Sequence, residues 1–85
     1  MNISELKIET QNQLNALIQG AATRESVSAW AMKYVSDDSI DISDKLLWRT
    51  LKALGGADAR ANLESYLYSK NDFKQWLGDL VSRNT

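Results

Sequence analysis

The chain has 85 residues, 44% of them hydrophobic, a length that predicts one domain with a single core and a thin stability margin. It contains neither cysteine nor histidine, which excludes disulfides, thiolate and imidazole metal ligands, and Cys–His or Ser–His nucleophile pairs. A net charge of −1 is unlike the footprint of a nonspecific nucleic-acid binder. We therefore expect no enzyme, no cofactor and no metal site.

Two amphipathic segments open the chain. A helix over 3–19, ended by Gly20, would turn one apolar side inward: Ile3, Leu6, Thr10, Leu14, Leu17 and Ile18. A second helix over 24–36, capped by Thr23, carries the most aromatic face of the chain: Val27, Trp30, Ala31, Tyr34 and Val35. The short connection predicts an antiparallel hairpin, and we expect Trp30 to be the central packing residue of the domain.

Serine and aspartate residues at 36–44 predict a break before the third helix, because their side chains compete for helical hydrogen bonds. Asp41 or Ser43 would cap a helix over 44–55, whose apolar face is Leu47, Leu51 and Leu54. Oxygen-bearing side chains alternate in the break as in a calcium loop. However, Ile42 stands where an EF-hand needs glycine and Trp48 where it needs glutamate, so a solvated loop is favoured over a calcium site.

The last part of the chain combines an irregular segment with a fourth helix. Residues 57–69 show no apolar stripe, whereas a helix over 70–83, capped by Ser69, repeats the spacing of the second: Phe73, Trp76, Leu77, Leu80 and Val81. Four segments with one apolar face each, and no proline, predict an all-α fold. We expect a small four-helix bundle, irregular around 57–69, as a single domain over 1–85.

A basic stripe lies opposite the leucines of the third helix. Lys45, Arg49 and Lys52 are spaced at i, i+4 and i+7, with Trp48 at the border of the apolar face. In a nucleic-acid reader such a helix would contact phosphates while the tryptophan stacks on a base. The break at 36–42 is longer than the tight turn of a helix-turn-helix, so a solvated helix face is the favoured interpretation.

Trp48, which follows the acidic break, and Tyr66 and Tyr68, which a connection of about ten residues could return alongside the third helix, indicate a surface for a protein partner. An aromatic anchor supplies buried area, and carboxylates around it supply steering. The predicted partner-binding residues are Asp37, Asp38, Asp41, Asp44, Trp48, Tyr66 and Tyr68. The competing interpretation is that the aromatic residues belong to the core, with Leu67 and at least one tyrosine folded back as a lid.

The stretch Leu17-Ile-Gln-Gly-Ala-Ala-Thr-Arg-Glu-Ser-Val-Ser-Ala-Trp30 resembles the opening of small helical bacteriocin immunity proteins of the colicin D-like kind, over about residues 14–35. The Asp-rich break, Leu47-Trp48 and Tyr66-Leu-Tyr68 are similar to parts of uncharacterised small bacterial helical proteins. The first resemblance implies a non-catalytic protein-binding module whose most concrete version neutralises a bacterial toxin. The alternative is a nucleic-acid-associated or regulatory domain that uses the basic third helix.

The start of the chain lacks the basic residues and apolar run of a signal peptide, and no apolar run approaches membrane-spanning length. We expect a cytoplasmic protein that has no contact with membranes and whose partner is a protein rather than nucleic acid.

Overall fold

The computed structural model describes residues 3–82, which form four helices: α1 (Ile3–Gln19), α2 (Arg24–Val35), α3 (Lys45–Gly55) and α4 (Lys70–Ser82). Within this range there is no strand, and an isolated bridge pairs Arg60 with Tyr66. The predicted all-α fold of four helices is confirmed, as is the irregular segment at 57–69. Residue 83, the predicted end of the last helix, lies outside the described residues, and one domain over 1–85 stays a prediction.

Short-range hydrogen bonds set the ends of the helices. The Thr23 hydroxyl accepts a bond from the Ser26 N–H at 3.1 Å and caps α2, as predicted. At the start of α4, Ser69 N donates to Asp72 Oδ2 at 2.7 Å, while Asp72 N donates to the Ser69 hydroxyl at 3.4 Å. Gly20 ends α1 with a φ of 76°, a conformation that costs glycine little.

Asp44 caps α3, so the prediction of Asp41 or Ser43 at that position is wrong. Asp44 Oδ1 accepts hydrogen bonds from the N–H groups of Leu46 and Leu47, at 3.0 and 3.1 Å. The helix starts at Lys45, and the capping residue is the one immediately before the first helical residue.

The core is centred on the leucines of α1 and α3, not on the aromatic face of α2. Fully buried side chains include Leu14, Leu47, Leu51 and Leu54, whereas Trp30 is only partly buried. The prediction that Trp30 is the central packing residue is therefore wrong. The buried face of α2 runs through Val27, Ser28 and Ala31, which leaves Trp30 at its margin, tilted against Tyr34 with ring centroids 5.2 Å apart.

Small residues let α2 and α3 approach closely. The buried Ser28 hydroxyl donates a hydrogen bond of 2.6 Å to the carbonyl of Gly55, and a Cβ at Gly55 would lie 2.8 Å from Met32 Sδ. The principal pairs of packed helices are α2 with α3 and α1 with α4. The predicted α1–α2 hairpin is therefore wrong as a packing unit, because α1 buries its face mainly on α4, at the other end of the chain.

The contact between α1 and α2 is partly polar, and it predicts that the stability of the fold depends on pH. The Tyr34 hydroxyl donates to Glu9 Oε2 at 3.4 Å, and burial, followed by the charge of Glu9, raises the pKa of Tyr34 above its ordinary 10.0. The folded chain thus holds this proton more tightly than the unfolded chain, so stability should fall as pH rises from about 10 through the raised pKa. Urea unfolding at rising alkaline pH should show a smaller loss for Tyr34→Phe than for the wild type. Equal losses would contradict this assignment.

Candidate nucleic-acid interface

Positive charge is concentrated on helix α3, and acidic residues elsewhere in the chain balance it. Its eleven residues include Lys45, Arg49 and Lys52 but no acid, whereas α1, α2 and α4 each contain at least one aspartate or glutamate. All three cations are exposed, because the leucines of the same helix face the core. These three residues, Lys45, Arg49 and Lys52, form the basic face of α3.

Within residues 3–82, no carboxylate lies within ion-pair distance of a cation of the basic face. The Lys52 ammonium lies 5.8 Å from the centroid of the Trp48 ring, which is half-buried at the border of the face. The charges are thus free to meet an external anion, and an aromatic ring is within reach of the same ligand.

A cleft of about 260 Å³ opens beside the basic face, between α3 and α4. The α3 side is lined by Leu46, Arg49, Thr50 and Ala53. The opposite side is lined by Trp76, Asp79 and Tyr68, with the Tyr68 and Trp76 rings edge to face at a centroid distance of 5.0 Å. A shallower hollow shares Leu46, Arg49 and Asp79 and extends the cleft along the surface toward Ser82.

The pattern of the sequence does not single out this cleft. Helical spacing places Arg49 only in the basic stripe and Trp76 only in the core, and it gives Asp79 no role. The available signal is the flank of α3 formed by Leu46, Arg49 and Ala53, which points neither at the leucine core nor straight outward.

The irregular segment 57–69 is held against the bundle by Arg24 at the start of α2. Arg24 Nη1 donates to the carbonyls of Ala57 and Tyr68 at 3.1 and 2.7 Å. Its guanidinium also lies 4.1 Å from the Tyr66 ring centroid and 4.9 Å from that of Phe73. These contacts hold Tyr68 in place as one wall of the cleft.

The residues predicted to bind a protein partner have different environments in the structure. Asp37, Asp38 and Asp41 are exposed in the loop before α3, and hydrogen bonds from the Ser39 hydroxyl and N–H hold the pKa of Asp37 below its ordinary value. Asp44 is occupied as the cap of α3. The seven-residue partner surface stays a prediction.

The three aromatic members of that surface do not form one anchor. At 100° per residue, Trp48 lies about 160° around α3 from Leu46, so it is on the side of the helix away from the cleft that Tyr68 lines. Tyr66 stacks on Arg24, and its hydroxyl contacts Arg60 and Glu25 at 3.4 Å each. The predicted lid is correct for Tyr68, which packs on Trp76, and wrong for Leu67, which is exposed.

No group of three acidic side chains within 3–82 is placed to hold a metal ion, and no helix in this range is long and apolar enough to cross a membrane. The fold and the basic face define a small all-α protein with one cationic helix next to an aromatic cleft.

The chain belongs to the YxzC family. Residues 2–80 match the family model described as "YxzC DNA-binding protein". The chain is also 37% identical over 70 residues to the uncharacterised protein YxzC of Bacillus subtilis (strain 168), an alignment that covers 82% of this chain. The match extends over 57% of the length of that relative. No solved structure matches.

These findings overturn three predictions. The resemblance to colicin D-like immunity proteins is wrong, because the match over 2–80 is to a different family. The family description also contradicts the prediction of a toxin-neutralising, protein-binding module and the exclusion of nucleic acid as a partner. The net charge of −1 averages over the whole chain and therefore does not reveal that three cations are concentrated on α3.

Proposed function

We propose that this protein binds DNA through the basic face of α3. The observation that carries the proposal is three exposed cations on one side of a single helix whose own residues include no acid. The description of the family as DNA-binding supports it. A cytoplasmic location accords with such a role.

The dimensions of α3 suit the major groove of DNA, whose edges carry the phosphates. Eleven residues form a rod about 16 Å long, and the major groove, about 12 Å wide, admits an α-helix. Lysine and arginine residues on such a helix neutralise phosphates, and each contact releases condensed counterions. Phosphate contacts position a protein without reading sequence, so the basic face by itself predicts affinity and not specificity.

Salt dependence of binding tests this proposal. Three phosphate contacts predict a slope of log K against log salt of about −2.7, or about a forty-fold loss of affinity between about 50 and about 200 mM salt. Lys45→Ala and Lys52→Ala should each make the slope less negative by about 0.9. The slopes can be measured by fluorescence anisotropy with a labelled DNA duplex.

Lys74→Ala is the matched control, because Lys74 is an exposed lysine on α4 and does not belong to the basic face. It should leave the slope unchanged within error. If all three lysine variants reduce the slope equally, or if none does, the basic face is not the DNA-binding surface.

A further inference from the structure

We propose that the cleft between α3 and α4 binds one unstacked guanine base of the DNA that lies along the basic face. This inference rests on the proposed function and names the ligand of the adjoining site. Arg49 links the two, because it belongs to the basic face and also lines the cleft. A strand whose phosphates follow α3 would therefore place a base at the mouth of the cleft.

The size and walls of the cleft suit a single flat ring system. Its volume of about 260 Å³ is below the range of about 300–1,000 Å³ usual for drug-sized ligands. Trp76 and Tyr68 supply aromatic surface on one side, and Leu46 and Ala53 supply apolar surface on the other. Stacking on aromatic side chains is how proteins commonly hold bases removed from a helix.

The charged residues of the cleft select among the bases. Arg49 and Asp79 line the same space, yet no ion pair joins them in the described part of the chain, so both can face a ligand. A guanidinium has five N–H donors, so Arg49 can donate to two acceptors of a base as well as to a phosphate, and an ionised aspartate accepts from two donors. Guanine presents both edges: O6 and N7 accept, as in its usual pairing with arginine, while N1–H and the N2 amino group donate.

Binding of DNA duplexes that carry one unpaired base tests this inference. The probes are identical except that the unpaired base is guanine or hypoxanthine, which lacks the N2 amino group. The wild type should bind the guanine duplex about tenfold more tightly, because hypoxanthine leaves one oxygen of the Asp79 carboxylate without its donor. Asp79→Asn should abolish this preference, and because Asp79 is exposed the variant should remain folded.

Asp58→Asn is the matched control: it makes the same change of charge at a position that does not line the cleft, and it should keep the preference for guanine. The base site would be overturned if the wild type binds both duplexes equally while Lys45→Ala and Lys52→Ala still weaken the salt dependence of binding. The proposal that α3 binds DNA would then remain supported. The base site is overturned in the same way if Asp79→Asn strengthens binding to both duplexes and keeps their ratio.

Two further results distinguish a base within a DNA strand from the base of a free nucleotide. Guanosine 5′-monophosphate should compete only weakly, because it lacks the flanking phosphates that α3 contacts. Competition as strong as that of the guanine duplex would overturn the assignment to a base within a strand. Absence of binding to every duplex would overturn the proposed function, and this inference with it.

Discussion

Leu51→Ala is expected to lower the free energy of unfolding by about 3 kcal/mol, within the range of about 2–5 kcal/mol for removing a buried leucine side chain. Leu51 is fully buried at the centre of the apolar face of α3, among leucines of α1 and α3. Truncation removes its contacts and leaves a cavity that a close-packed core cannot fully close. The free energy of unfolding of a domain of this size is small, so the variant should unfold at a clearly lower denaturant concentration than the wild type.

Leu63→Ala is the control for this prediction, because it makes the same chemical change at a side chain that is 96% exposed. Its free energy of unfolding should stay within about 0.5 kcal/mol of the wild type. A loss at Leu51 no larger than the loss at Leu63 would show that the core is not centred on α3.

Arg24→Ala is expected to lower the free energy of unfolding by about 2–3 kcal/mol, because it leaves two carbonyls without their charged donor and removes a cation that lies over the Tyr66 and Phe73 rings. The carbonyls belong to Ala57 and Tyr68, so the loss should also loosen segment 57–69. Amide hydrogen exchange should accelerate in that segment more than in α1. Arg24→Lys should restore only part of the stability, since an ammonium group lacks the planar fork that both stacks and donates.

Arg60 provides the comparison for Arg24. Its guanidinium lies 4.6 Å from the same Tyr66 ring, but the side chain is exposed. Arg60→Ala should therefore cost less than about 1 kcal/mol. Should both variants lose the same amount, the hydrogen bonds of Arg24 to the two carbonyls would not be what holds the segment.

The candidate site is predictable from the sequence only in part. The spacing of Lys45, Arg49 and Lys52 identifies the basic face, because a helix with buried leucines must expose its opposite side. The net charge of the whole chain does not reveal this local concentration of cations, since acids elsewhere cancel their charge. The cleft is not predictable, because Tyr68 and Trp76 line it together with Arg49 only through the tertiary arrangement of segment 57–69 and α4 against α3.

The sequence by itself determined the helices and most of their ends. Capping and glycine stops act through bonds between residues three to six positions apart, as at Thr23, Ser69 and Gly20, and periodicity identifies most of the inward side of each helix. Only the tertiary structure decided that α1 packs on α4, that Trp30 lies at the margin of the core, and that Arg24 holds a carbonyl 44 positions away. Such contacts depend on how whole faces fit together, which no local pattern of residues encodes.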